Sequence, residues 1–273
     1  MAIPVIRGLI DRRILINYQA SPTALAALLP RPFRPQVVNG AGIAGICLIR
    51  LKLVRPSWLP EWIGLTSENA AHRIAVEWED DVGNYRTGVY IPRRDTSSRI
   101  NALAGGRLFP GRHHLARFDA CEGQGHYRVV MAGDGRTHLS FEGHQTNEFP
   151  WSSVFGSLQA ASEFFRRGSV GYSPTRHEGR FDGLELRTFG WQVRPLAVRS
   201  VESSFFDDPK AFPKGSIKFD SALLMRNAEH EWHAAPELVE PQAGCAIPTG
   251  RPAGVVARLG GRPTVTKSLG AET

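Results

Sequence analysis

For a chain this basic, lysine is scarce. Of 33 basic residues only five are lysine (Lys52, Lys210, Lys214, Lys218 and Lys267), and none lies between Leu53 and Pro209. Chemistry that needs an amine nucleophile from that central stretch is left without one. Cysteine is nearly as thin: Cys47, Cys121 and Cys245 are odd in number, far apart and without a C-x-x-C pair. That usage excludes a disulfide framework and a thiolate zinc site. Long apolar runs are missing as well. The longest, Ala41 to Ile49, is too short to span a bilayer, and the segment Met1 to Arg7 lacks the apolar core of a signal peptide. A cytoplasmic protein without membrane contact is expected. From Pro236 onward aromatics vanish, and Gly and Pro make up 11 of the last 38 residues.

What is present suits a globular protein. The chain has 273 residues, 42% hydrophobic and 22% charged, enough for a sizeable core. One domain over residues 1–235 is expected, followed by a disordered Gly/Pro-rich tail over 236–273. The net charge of +7 favours anionic partners. Arginines are interleaved with acids, though, and blocks such as Arg12-Arg13, Arg93-Arg94 and Arg166-Arg167 are short. No helix-turn-helix, zinc-finger or RNA-recognition pattern occurs, so no nucleic acid partner is expected.

Period-two patterning prevails. Asn39-Gly40 is a hairpin turn leading into a long strand from Ala41 to Val54, on which Arg50 and Lys52 share a face that reads as solvent-exposed. Two further strands, His72 to Glu79 and Asn84 to Ile91, flank the turn at Asp80 to Gly83. On the first, Arg73 shares a face with Ala75, Glu77 and Glu79, which by pattern alone is the solvent face. Strands also fit His113 to Phe118, Tyr127 to Ala132, Thr137 to His144, Leu184 to Arg194, Leu196 to Phe206 and Ile217 to Met225. One helix is expected after Ser21-Pro22, and another from a Ser152 or Ser153 cap to Arg167. Nine or ten strands without a βαβ rhythm predict a mainly β (α+β) fold: an antiparallel barrel or sandwich with a few flanking helices.

Candidate chemistry gathers between Ser67 and Phe118, around the turn Gly105-Gly106-Arg107-Leu108-Phe109-Pro110-Gly111 and the pair His113-His114. His113 and His114 are the proton-handling candidates, and Glu68 can orient either one. Arg107 and Arg73 suit a planar anion, with Tyr90 and Arg93 beside them. A metal site is not expected, because adjacent strand histidines point to opposite faces, and His138 and His144 stand about 20 Å apart along a strand. A nucleophile elbow and a dinucleotide fingerprint are also absent. No cofactor is implied.

The stretch Gly106 to Ala116, G-R-x-x-x-G-x-x-x-L-A, resembles the active-site strand of the acetoacetate decarboxylase-like superfamily. A wider set is similar to its domain of unknown function 2071 family: Asn39-Gly40, Gly45-Ile46-Cys47, Ser67-Glu68-Asn69, His72-Arg73, Gly88-Val89-Tyr90 and Leu108 to His114. The resemblance implies an antiparallel barrel or cone with a ligand cavity inside, and leaves room for a homo-oligomer. In the decarboxylases a Lys-Lys pair precedes Leu-Ala, and its first lysine forms the Schiff base. Here His113-His114 stand in that place, and imidazole forms no protonated imine. The resemblance puts His113 in the cavity and His114 in a supporting or outward position. Two readings follow: acid-base catalysis on a keto acid, enol or related carbonyl compound without a Schiff-base lysine (lyase, hydratase or cyclase type), or a non-catalytic barrel for a small anionic or apolar ligand.

Overall fold

The computed structural model describes residues 4–104, 111–135 and 137–241. It contains β1 (Ile6–Ala20), α1 (Pro22–Ala26), β2 (Arg34–Pro35), β3 (Val37–Val38), β4 (Ala41–Pro56), β5 (Leu65–Glu79), β6 (Tyr85–Thr96) and α2 (Arg99–Ala104). Then follow β7 (His113–Leu115), β8 (Arg117–Gly123), β9 (His126–Ala132), β10 (His138–Gln145), α3 (Leu158–Arg167), β11 (Val170–Pro174), β12 (Arg180–Phe189), β13 (Arg194–Ser203) and β14 (Ile217–Val239). Among the described residues no helix is long and apolar enough to cross a membrane.

Pairing closes a ring. The strands run β1-β4-β5-β6-β11-β12-β14, and β14 pairs back onto β1 from Ile6↔Trp232 to Ala20↔Ile217. All contacts in the ring are antiparallel except β6 with β11. β13, β10, β9 and β8 continue from β14 as a sheet extension. Because side chains alternate along each strand, each face of the ring carries its own apolar set. Ile14, Ile16, Ile46, Leu48, Ile74 and Val76 join Val129, Met131 and Phe141 of the extension in one core. Leu15, Cys47, Ile49, Leu51 and Ala75 join Phe155, Ala161 and Phe165, from α3 and the segment before it, in a second.

Local sequence explains the joints. Asn39 and Gly40 take positive φ (47° and 83°) as the hairpin turn between β3 and β4 requires. The helix expected from Ser152 starts later. Asp220 captures the Ser153 hydroxyl at 2.8 Å and accepts from the Val154 amide, so Ser157 caps α3 instead. β14 is longer than its apolar run predicts. It carries Pro236 to Val239, residues that composition alone assigns to the tail, and pairs Leu238 and Val239 with Phe181 and Arg180 of β12. Residues 242–273 lie outside the described residues.

Candidate functional site

All seven strands of the ring, with β7 and α3, line one cavity of about 150 Å³. That is comparable to cavities able to hold a benzene-sized molecule. Most of the wall is apolar, including Ile49, Leu51, Ile91, Leu184, Leu186, Trp191 and Trp232. Four arginines also line it; Arg166 of α3 is paired with Glu163, and against this background the other three stand out.

Arg73 comes from the centre of β5 and is only 7% exposed. Its Nη2 donates to Asn17 Oδ1 at 2.6 Å, its Nε has no partner among the described residues, and its guanidinium lies 4.7 Å from the Phe165 ring centroid. A side chain at position 45 would stand 3.4 Å from this guanidinium and 2.4 Å from the Ile16 carbonyl oxygen, so Gly45 makes the room. Arg94 donates from Nε to Ser173 Oγ at 2.9 Å. Arg13 donates to Cys47 Sγ at 3.4 Å and lies over Trp191. Among the described residues none of the three meets a carboxylate. Burial pushes Arg73 and Arg94 down to about 10 from the usual arginine range. For Arg73 the charge of Arg13 adds to burial, and Cys47 opposes it.

Asp95 is the one carboxylate among the described lining residues, and it is already engaged, 2.7 Å from Arg93 Nη2. The cavity therefore holds more positive than negative charge. An unpaired buried cation costs several kcal/mol, and a bound anion offsets that cost.

β7 runs parallel to β6, with His113 beside Arg94 and His114 beside Asp95. His113 lines the cavity. His114 does not: its Nδ1 sits 3.5 Å from Asp134 at the surface. Residues 105–110, Arg107 among them, lie outside the described residues. Of the side chains singled out in the sequence, the structure thus brings Arg73 and His113 together in one cavity.

Glu68, Tyr90 and Arg93 are elsewhere. Glu68 accepts from Arg12 Nη2 at 2.6 Å and also from Arg50 on the opposite face of the ring. There Arg12, Arg50 and Arg226 surround Glu122, while Lys52 holds Asp11 at 2.8 Å. Arg50 and Lys52, which the pattern gives to solvent, belong to this ion network. Tyr90 packs on Phe33 and Phe181, and burial raises its pKa. Arg93 bridges Asp95 and Asp134. Among the described residues no three histidine, cysteine or carboxylate groups cluster as metal ligands would.

Sequence reasoning missed Arg13 and passed over Arg94. A usable signal exists in hindsight. Arg12-Arg13, Arg93-Arg94 and His113-His114 are adjacent like pairs on strands, and each pair splits between faces, so each delivers one member to the cavity.

Among solved structures, the chain is similar to acetoacetate decarboxylase from Legionella pneumophila subsp. pneumophila str. Philadelphia 1. The TM-score is 0.58 at 10% identity, covering 85% of this chain and 87% of that one. It is also similar to an acetoacetate decarboxylase-like enzyme from Sphingomonas wittichii RW1 (TM-score 0.58, 12% identity, 88% and 95% covered). A third similar structure is the enduracididine biosynthesis enzyme MppR, complexed with the condensation product of pyruvate and imidazole 4-carboxaldehyde (TM-score 0.58, 11% identity, 88% and 90% covered). At such identities these likenesses establish the fold, which is acetoacetate decarboxylase-like. No curated protein matches the sequence significantly. The profile of one family, DUF2071, described as an uncharacterised conserved protein, matches residues 10–214.

Proposed function

The chain belongs to the DUF2071 family, and from that premise we propose that its cavity binds a small carboxylate with a neighbouring carbonyl or enol group. His113 moves a proton on that ligand, in a lyase, hydratase or cyclase type of reaction. The observation that carries this reading is the convergence of Arg13, Arg73 and Arg94 on one cavity, without a carboxylate partner for any of them among the described residues.

Guanidinium groups match a carboxylate in shape and charge, and inside a largely apolar wall the match is strengthened by desolvation. His113 is the one histidine among the described lining residues and can give or take a proton near neutral pH. No described lining residue is a lysine. Lys52 is turned to the other face and held by Asp11, and Lys218 is exposed at the start of β14. An imine is therefore not part of the mechanism. The similar enzyme MppR is known in complex with pyruvate, which agrees with a 2-oxo carboxylate as the ligand class. A non-catalytic barrel for a small anionic or apolar ligand is the second reading, favoured by the apolar remainder of the wall.

Calorimetric titration with pyruvate tests the site. Binding is expected for the wild type, and Arg73→Met is expected to weaken it about 10- to 100-fold, the range for a charge-assisted hydrogen-bonded contact. Equal affinity in both proteins refutes the arginine site. Borohydride added with pyruvate or acetoacetate is expected to leave every lysine unmodified by mass spectrometry. A stoichiometric lysine adduct overturns the exclusion of an imine. Turnover of a 2-oxo acid that His113→Gln abolishes favours the catalytic reading; binding without conversion favours the second.

A further inference from the structure

The sulfur of Cys47 sits among the arginines of the cavity. Alternation along β4 turns Cys47, Ile49 and Leu51 to the inside, and Cys47 lies there as a free, buried thiol. Arg13 donates to its Sγ. Arg73 and Arg94 line the same cavity as that sulfur. Arg73 independently points to an absent anion, being almost wholly buried with an unpartnered Nε and no carboxylate. Inert cysteines sit in apolar cores, whereas reactive ones occupy electropositive and partly open settings. Cys47 is buried, but the cavity it lines holds cations, so its setting is electropositive.

Resting on the reading that the cavity takes a 2-oxo carboxylate, we propose that Cys47 is its covalent attachment point, with Sγ adding to the keto carbon next to the carboxylate. Arg13 touches the sulfur directly, so a carboxylate held by the arginines brings its adjacent carbon, and not a remote one, to Sγ. The step balances without a redox partner. A carbon–sulfur bond forms as the carbonyl π bond opens, and that electron pair goes to the oxygen. The oxygen takes the proton that the thiol loses, which leaves a tetrahedral thiohemiketal. His113, lining the same cavity, is placed to carry this proton. A thiol nucleophile also fits a cavity whose described lining contains no lysine.

Alkylation of the full-length protein by iodoacetate and by iodoacetamide, mapped cysteine by cysteine with mass spectrometry, tests the proposal. Iodoacetate carries its reactive carbon one bond from a carboxylate, as a 2-oxo acid does. Cys121, exposed on β8, is the internal reference. The iodoacetate-to-iodoacetamide rate ratio at Cys47 is expected to exceed that at Cys121 by about tenfold or more, a modest return for a charge attracted to nearby cations. Arg13→Gln is expected to reduce the ratio, and in the wild type pyruvate is expected to protect Cys47 but not Cys121. The protection arm needs no variant. An unreactive Cys47, or one with the same ratio as Cys121, overturns the proposal. If pyruvate binds by calorimetry yet leaves Cys47 alkylation unchanged, the attachment fails while the binding site stands. If no 2-oxo acid binds at all, the substrate class fails first and the attachment with it.

Discussion

Arg12 and Arg13 stand side by side on β1, yet Arg12 meets Glu68 and Glu122 on the outer face of the ring, while Arg13 meets a thiol and an indole inside it. The same contrast separates Arg93, clamped by Asp95 and Asp134, from Arg94, which has Ser173. On one face the cations are matched by the protein's own carboxylates, which is how a chain builds a rigid joint between strands. On the other they are left for something to be brought in. Equal residue types thus serve architecture on one side of a strand and recognition on the other, and the difference is read from their partners, not from their identity.

The sharpest way to break this comparison is to remove one arginine from each face. Arg12→Met leaves Glu68 with Arg50, and Glu122 with Arg50 and Arg226, and is expected to cost about 1–3 kcal/mol in urea unfolding without changing ligand affinity. Arg73→Met removes a buried cation that the protein does not match, so its stability is expected to be unchanged or higher. If Arg73→Met destabilises as much as Arg12→Met, the two faces do not differ in the way described.

Acid extends the comparison to the buried histidines. Burial, then the charge of Arg93, pushes His72 down to about 3, and burial, then Arg13, pushes His230 down to about 4. Both folded values lie below the unfolded value. Above about pH 6.5 both states are neutral at these sites and stability is independent of pH through them. As pH falls below 6.5 the unfolded chain takes up protons first, so stability falls. At pH 5 each histidine is expected to account for about 2 kcal/mol of that loss. His72→Leu is expected to remove its share, visible as a flatter stability profile between pH 7 and 5. An unchanged profile refutes the assignment.

Smaller effects sharpen the picture at the margin of the cavity. Ser157 accepts from the Ala160 amide at 3.1 Å and starts the helix that sets Phe165 against Arg73, so Ser157→Ala is expected to cost about 1 kcal/mol. His114→Gln, at a surface ion pair, is expected to change stability by less than about 1 kcal/mol and to leave the pH profile of binding or turnover intact. His113→Gln is expected to flatten that profile. Identical behaviour of the two variants removes the distinction between the histidines.

Much of the architecture was legible in the sequence, for physical reasons. Alternation, the Asn39-Gly40 turn and the absence of a βαβ rhythm point to an antiparallel, mainly β fold, and the strand pairings bear this out. The site was harder to read. Arg73 shares its face of β5 with Glu77 and Glu79, and Glu79 is exposed, so pattern alone sends Arg73 to solvent. In a closed ring the same side of a strand is wet at the rim and enclosed further in, and pattern cannot tell the two apart. β6 adds a second obstacle. Strict alternation from Val89 and Ile91 carries the inward face to Arg93. One extra residue in β6 between the pairs Ile74↔Tyr90 and His72↔Arg93 shifts it to Arg94. The end of β14 hides for a third reason. Its charged residues Glu229, Glu231 and His233 alternate with His230 and Trp232, which an apolar count does not register.

The closure of β14 onto β1 also has a temporal side. Ile6 pairs with Trp232, so the seam of the barrel joins the two ends of the described fold. A ribosome adding about 5–20 residues per second needs roughly ten to forty-five seconds to make the rest of the seam after β1 has emerged. During that wait β1 pairs with β4 but offers its other edge to any strand nearby. Such distant pairing is slow to form, and an open edge invites association. Chains stopped before β14 are thus expected to aggregate, and the cavity is among the last features of the molecule to come into being.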